Sequence, residues 1–350
     1  MPHLSQPLRV EIADRHIGHG TPCYVIAEIG SNHNQDFDLA RRMIDAAVEA
    51  GADAVKFQTF KAEAHVSKHA EAPSYLADKD IHSLIRSLEL DRSWQGPLQA
   101  HAQAQGVHFF SSPCDAEAVA QLNALKAPAH KVASFDLPDL DLIDVIARSG
   151  VPVILSTGLA NWMDIHRGIE TCRRAGNDQI VVLQCTSLYP APIELTNLKA
   201  MDTIRAAFGV PTGYSDHTMG DIAVCAAVAR GACMIEKHFT TDRSLSGPDH
   251  AFAMEPQEFK EMMLRVRAIE AMIGDGAKTG PRPQEQEMAE KCRRSLHAAR
   301  DIPEGAVLTR EMLITKRPGH GVPMHLREQV VGRRARRAIP ADAWITWDMI

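Results

Sequence analysis

No apolar run in this sequence is long enough to cross a bilayer. The longest, IAVCAAVA at residues 222–229, stops at Arg230, well short of the roughly 20 residues that a membrane helix needs. The opening MPHLSQPLRVEIADRHIG likewise has no apolar core of signal-peptide length, so a cytoplasmic location is expected. No CxxC pair occurs among the seven cysteines, which are scattered and odd in number. That argues against a disulfide framework, and they read as reduced, mostly buried small apolar residues. A GxGxxG turn after the first β-rich run is also missing, which weakens a doubly wound dinucleotide-binding reading. Neither sign of charge dominates. A net charge of −6 and a pI near 6.3 give no global reason to bind nucleic acid, although the tail is locally basic.

What is present is an alternation. With 350 residues, 45% of them hydrophobic, the chain can bury one large core or two domains. From residue 22 onward, short β-rich runs alternate with stretches of helical spacing such as DLARRMIDAAVEAGA and DIAVCAAVARGA. The runs are YVIAEIG (24–30), DAVKFQT (53–59), VHFFSS (107–112), AHKVAS (129–134), VPVILSTG (151–158), IVVLQCT (180–186), VPTGYSD (210–216) and ACMIEKH (232–238). Eight such units, with connections long enough for parallel crossovers, predict an α/β fold of the (β/α)8 TIM-barrel type. An irregular insert from Phe60 to about Asp80 is expected to form a lid or wall over the pocket.

The barrel pattern ends near Ile273. The polar stretch GDGAKTGPRPQEQ then reads as a linker. Beyond it an internal repeat sets IPEGAVLTREML (302–313) against IPADAWITWDMI (339–350). Each copy predicts a turn at Gly305 or Asp342, a short strand, and a helical turn capped by Thr309 or Thr346. The expected division is a barrel over 1–274, a linker over 275–292 and a small pseudo-twofold domain over 293–350.

In a TIM-type barrel the C-terminal strand ends supply the chemistry. All eight runs end in polar groups: Glu28, Lys56 with Gln58, Ser112, Lys131 with Ser134, Ser156, Ser187, Ser215 with His217, and Glu236 with His238. Two lysines among hydroxyls suit a phosphate or carboxylate. Two histidines on adjacent strands could share a divalent metal, and Glu28 and Glu236 could transfer protons. Each residue alone has a bland explanation, because strand-end histidines are usually packed, lysines snorkel and serines satisfy backbone. It is their occurrence at one level of the barrel that points to a site. A Schiff-base aldolase using Lys56 or Lys131 is an alternative reading, as is a carbohydrate- or nucleic-acid-binding tail on an inert barrel.

The ordered stretches AEIGSNHN (27–34), VKFQTF (55–60), SSPCD (111–115), ILSTG (154–158), QCTSLYPAP (184–192), GYSDHT (213–218), EKHFT (236–240), SGPDH (246–250) and KRPGHG (316–321) resemble the sialic acid synthases, including the bacterial legionaminic and pseudaminic acid synthases. The resemblance covers nearly the whole chain. It implies a TIM barrel followed by a C-terminal antifreeze-like (SAF) domain, and a domain-swapped homodimer acting on neither nucleic acid nor membrane. The implied reaction joins phosphoenolpyruvate to an N-acetylated hexosamine such as N-acetylmannosamine. It releases phosphate and uses a divalent metal, commonly Mn2+, with Mg2+ or Co2+ as alternatives. By the same resemblance His217 and His238 are the metal ligands, and Lys56, Ser112, Lys131, Ser134, Ser156 and Ser215 cradle phosphoenolpyruvate. Glu28, Gln58, Tyr189, Glu236 and Asp249 match sugar, water or metal-proximal positions, and Arg317 matches an arginine that reaches the N-acetyl group from the other subunit. Two departures bear on the sugar. Many neuraminate synthases read KIGSGE where this chain reads KVASFD (131–136), placing Phe135 and Asp136 at the site, and Ser187 stands where some members carry Asn. The ASF form resembles pseudaminic acid synthases, whereas SGPDH and GYSDHT favour the neuraminate and legionaminic branch.

Overall fold

The structure, a computed structural model, describes residues 9–71 and 80–350. It divides into two compact units, Met1–Gly274 and Asp275–Ile350. The first begins with an antiparallel hairpin, β1 (Arg9–Ile12) and β2 (Arg15–Gly18). Eight parallel strands then close a barrel: β3 (Tyr24–Gly30), β4 (Ala54–Thr59), β5 (His108–Pro113), β6 (His130–Val132), β7 (Val153–Ser156), β8 (Ile180–Cys185), β9 (Thr212–Asp216) and β10 (Met234–His238), the last pairing back onto β3. The sequence reading named all eight and missed the hairpin.

Strand periodicity sorts the side chains. On β3, Ala27 and Ile29 point outward into a core shared with helix Phe37–Glu49, while Ile26 points inward. The helix begins at Asp36, whose carboxylate accepts the Leu39 amide, and the chain turns out of it through Gly51 in the left-handed region. Inside the barrel, Tyr24, Ile26, Phe110, Ile154, Leu183 and Met234 form an apolar filling. Val10, Ile12 and Ile17 of the hairpin join it and close the bottom. The polar strand-end groups therefore lie beyond this plug, at the C-terminal ends of the strands.

Part of the insert after β4 is described. It contributes the short helix Ala62–His65, and helix Ile81–Ser87 follows it. Phe60 and His65 of the insert line the barrel mouth, together with Leu84, Ile85 and Leu88 beyond it, so the described part is a wall; residues 72–79 of the expected lid lie outside the described residues, as do residues 1–8 of the opening segment. No helix among the described residues is long and apolar enough to cross a membrane.

The second unit has its own core of Leu296, Ile302, Leu308, Leu313, Val330, Ile339 and Ile345. The segment expected as linker contains helix Gln286–Cys292. The repeat copies meet through the Ile302–Ile339 bridge, whose two residues exchange backbone hydrogen bonds at 2.8 and 2.9 Å. Gly305 and Asp342 both adopt positive φ (76° and 70°), as turns there require. The expected short strand in each copy is only an isolated bridge, at Val307 and at Trp344. Thr309 and Thr346 precede 3-10 turns in extended conformation, but their side chains accept no capping hydrogen bond. Each hydroxyl instead bonds the acidic side chain two residues on, Glu311 or Asp348, which competes with capping.

Candidate active site

Register places the polar groups at one level. Glu28 of β3 lies opposite Lys56 of β4 and beside His238 of β10, while Glu236 lies opposite Ser215 of β9 and Gln58 opposite Ser112 of β5. Together with Lys131, Ser134, Asp136, Ser156, Tyr189, His217 and Asp249 they line a single cavity of about 210 Å³ in the barrel mouth. Ser187 is not in that wall. It lies behind Gly158, where a Cβ would meet Ser187 Oγ at 2.0 Å and Ser134 Oγ at 2.8 Å, and it lines an adjoining depression instead. Arg317 is an exposed residue of the second unit.

Within the cavity two lysines and two glutamates interlock. Lys56 Nζ lies 2.8 Å from Glu28 and 3.7 Å from Glu236, and donates to Ser112 Oγ at 3.1 Å. Lys131 Nζ lies 3.8 Å from Glu236 and donates to the Val132 carbonyl. Gln58 donates to Glu28 and Ser215 to Glu236. The two carboxyls are driven apart. Burial pushes Glu28 up to about 7 against the pull of Lys56, whereas for Glu236 the opposing burial is overcome by Lys131 and Lys56, which hold it below its ordinary value. Lys131 is lowered by burial, and Lys56 is raised because Glu236 and Glu28 outweigh burial. Near neutral pH the cluster therefore has more positive charge than Glu236 alone offsets, which suits an anionic ligand. Ser156 Oγ, buried in the same wall, has no protein partner and is free to bind a ligand oxygen.

Glu28 also makes a stability prediction. Because its native value is raised, the folded protein binds more protons than the unfolded chain between pH 4.5 and about 7, so stability falls as pH rises through that window. Glu28→Gln is expected to flatten this slope. Thermal melts of both proteins across those pH values check it, and parallel curves would refute the raised value.

In the same cavity, the ring centroids of His217 and His238 lie 5.3 Å apart. The Nδ1–H of His217 donates to the Thr186 carbonyl at 2.9 Å, which fixes the tautomer and leaves Nε2 bare. For His217 burial is outweighed by Cys185, whose Sγ lies 3.7 Å away, so its value is raised; Nε2 is bare only in the neutral ring, and a metal there displaces a proton. Burial, then the neighbouring His217 and lysines, hold His238 well below its ordinary value and therefore neutral. His238 Nδ1 is buried with no hydrogen-bond partner, 3.8 Å from Asp249, whose carboxyl burial raises to about 6. A bare Nε2 and an orphaned imidazole nitrogen are donors that fit a divalent metal. Tyr189 packs its ring 4.4 Å from His217 and 6.5 Å from Phe135 at the rim.

Sequence reasoning overlooked Cys114, Cys185 and His65 in this cavity. All seven cysteines are free, as expected, but Cys114 and Cys185 are not mere packing. Both stand at strand ends, so the rule that found the serines would have found them. His65 had no such signal, since it comes from the insert.

Comparison with known proteins agrees with this arrangement. The model of the NeuB family matches residues 43–278 and that of the SAF domain residues 293–350. N,N'-diacetyllegionaminic acid synthase of Campylobacter jejuni is 39% identical over 92% of this chain and 98% of that protein. Human N-acetylneuraminate-9-phosphate synthase is 34% identical over 98% of this chain and 97% of its own length. A crystal structure of N-acetylneuraminic acid synthetase from Leptospira borgpetersenii, in complex with citrate, superposes with a TM-score of 0.74 at 32% identity, covering 82% of this chain and 97% of that one. With the barrel, the polar strand ends and the C-terminal SAF domain in place, the chain belongs to the NeuB family of enzymes, the sialic and related nonulosonic acid synthases.

Proposed function

We propose that this enzyme condenses phosphoenolpyruvate with N-acetylmannosamine or a related N-acylated hexosamine and water, giving N-acetylneuraminate or a related nonulosonic acid and inorganic phosphate. The observation that carries this reading is the pair of buried lysines, Lys56 and Lys131, lining one cavity with the two imidazoles of His217 and His238. The lysines, with Ser112, Ser134, Ser156 and Ser215, hold the phosphate and carboxylate of phosphoenolpyruvate. His217 and His238 hold the divalent metal, Mn2+ in the first instance. When bound there, the metal supplies Lewis-acid polarisation of the sugar aldehyde.

Carbon 3 of phosphoenolpyruvate then bonds to the aldehyde carbon. Glu28, half-protonated near pH 7 and held by Gln58, gives its proton to the aldehyde oxygen. Glu236 stays ionised and stabilises positive charge developing at carbon 2. Water adds at that carbon and returns a proton to Glu28; the bond from carbon 2 to the phosphate oxygen then breaks as the new hydroxyl becomes the keto oxygen, its proton leaving with the phosphate. The sugar lies toward Tyr189, Phe135 and Asp249 at the rim.

A second reading, in which the sugar is a 2,4-diacetamido hexose, is favoured by Phe135. Its ring is 58% exposed at the cavity rim and offers an apolar face to an extra acetamido methyl. Phosphate release from phosphoenolpyruvate, measured with Mn2+ or with chelator across N-acetylmannosamine, its 6-phosphate and diacetamido sugars, tests both. Chelator-sensitive release with one sugar is expected and names it. Chelator-insensitive turnover, with borohydride trapping of a ketoacid on Lys56 or Lys131, would replace the condensation with the Schiff-base reading.

We also infer that the enzyme works as a domain-swapped homodimer in which Arg317 reaches the N-acetyl group bound by the other subunit. The basis is the match of KRPGHG to the family motif together with the exposed guanidinium. Arg317→Ala is expected to raise KM for the sugar at least about tenfold, as loss of a charge-assisted hydrogen bond predicts, with phosphoenolpyruvate binding nearly unchanged. An unaltered sugar KM, or full activity in a chain truncated at about residue 285, would refute the arrangement in trans.

A further inference from the structure

One wall of the cavity holds a second set of metal-type donors, separate from the two imidazoles. A ring nitrogen of His65, Cys114 Sγ and a carboxylate oxygen of Asp136 all lie within 4.8 Å of one another. Three segments converge to place them. Cys114 directly follows β5, and its backbone amide donates to the Thr59 carbonyl at the end of β4 at 3.0 Å. Asp136 sits in the turn after β6, closed by its own amide on the Ala133 carbonyl at 3.0 Å. His65 ends the insert helix Ala62–His65, with its ring stacked on Phe60 at 5.5 Å and 18°. Cys114 Sγ approaches Asp136 Oδ2 to 3.6 Å, and all three side chains face the cavity.

We propose that His65, Cys114 and Asp136 form a second metal site, selective for Zn2+ and similar borderline-soft cations, with the fourth coordination position open to the cavity. The donor set decides the class of ion. A thiolate, an imidazole and a carboxylate make the mixed sulfur, nitrogen and oxygen shell that Zn2+ takes with three protein ligands and one exchangeable position. The His217 and His238 pair has no thiolate of this kind in its shell, since Cys185 faces the hydrogen-bonded Nδ1 of His217 rather than the bare Nε2. Hard ions such as Mg2+ and Mn2+ prefer oxygen-rich shells and gain little from Cys114. The consequence is mechanical as well as chemical. An ion held by His65 would tie the insert helix to the ends of β5 and β6, closing the wall beside the sugar. The site does not depend on the condensation reading, because metal binding is observed without turnover.

Co2+ titrated into the metal-stripped full-length protein is the test, because a thiolate ligand gives a near-ultraviolet charge-transfer band that imidazole and carboxylate ligands do not. The band is expected in the wild type, retained in Cys185→Ser, lost in Cys114→Ser and displaced by Zn2+. His65→Ala, on a short helix in which only Ala62 is buried, should weaken Co2+ affinity at this site by more than the roughly 10–100-fold that loss of an outer partner costs. Thermal melts establish that each variant is folded; if Cys114→Ser is not, His65→Ala decides. A wild type without the band, a band that follows Cys185 instead of Cys114, or an unchanged affinity in His65→Ala would overturn the proposal.

Discussion

His238→Ala is expected to lower phosphate release by about a thousandfold or more at saturating phosphoenolpyruvate and metal, while the barrel stays folded and still binds phosphoenolpyruvate. The magnitude follows from what is removed. Polarisation of a carbonyl by a metal is worth several kcal/mol in the transition state, and each 1.36 kcal/mol is about tenfold in rate. The structure explains why His238 in particular matters. Its imidazole is kept neutral by burial and by neighbouring positive groups, so it is a ready ligand at neutral pH. Its Nδ1 has no partner in the protein, which would waste a buried polar atom unless something else satisfies it. The contacts of the two lysines do not include His238, so phosphoenolpyruvate affinity is a control with a distinct answer. Calorimetric titration of Mn2+ should show weakened binding in His238→Ala, and His217→Ala should behave alike. Activity within tenfold of wild type, with metal binding intact, would remove the imidazole pair from the mechanism.

Much of this site was legible because strand ends in a closed barrel share one level, so a one-dimensional rule, polar groups after each β-rich run, becomes a three-dimensional cluster. ACMIEKH shows the logic and its limit. Met234, Glu236 and His238 alternate into the barrel, as period two requires, while Lys237 points outward; the sequence alone did not separate Lys237 from its neighbours. The hairpin at the start was missed for a physical reason. Only Val10, Ile12 and Ile17 mark it, and its turn passes through Ala13 at φ 51° and Asp14, with no glycine or asparagine to signal reversal. Its apolar residues are buried by the barrel bottom, a contact between distant parts of the chain. Cys114 and Cys185 read as packing from composition, whereas their places at strand ends set them in the cavity wall. His65 reaches the cavity only through the fold of the insert, which no local pattern encodes.

Lys237 leads to the other large effect. Its ammonium lies 2.6 Å from Asp216 Oδ2, the two side chains being 1% and 0% exposed, and it also donates to the Thr218 carbonyl. Asp216 in turn accepts the Thr218 amide at 2.9 Å and hydroxyl at 3.2 Å. Around them the outer faces of β9 and β10 pack Tyr214 and Ile235 into the apolar core with Ala223 and Val224, so no water replaces a lost partner. Lys237→Met should therefore leave Asp216 buried and uncompensated, costing about 3–5 kcal/mol. For a barrel of this size the melting transition should fall by roughly ten degrees. Removing both charges is expected to recover most of that loss, because an apolar pair of similar volume is often nearly neutral, less about 1 kcal/mol for the Thr218 contacts that Asp216 makes. A double-mutant cycle on the melting transition checks the coupling. Since Thr218 follows His217 directly, the same variants should also weaken Mn2+ binding, through an imidazole no longer held by its own loop. A Lys237→Met protein that melts within two degrees of wild type and binds Mn2+ as well would mean that the pair neither stabilises β9 against β10 nor positions His217.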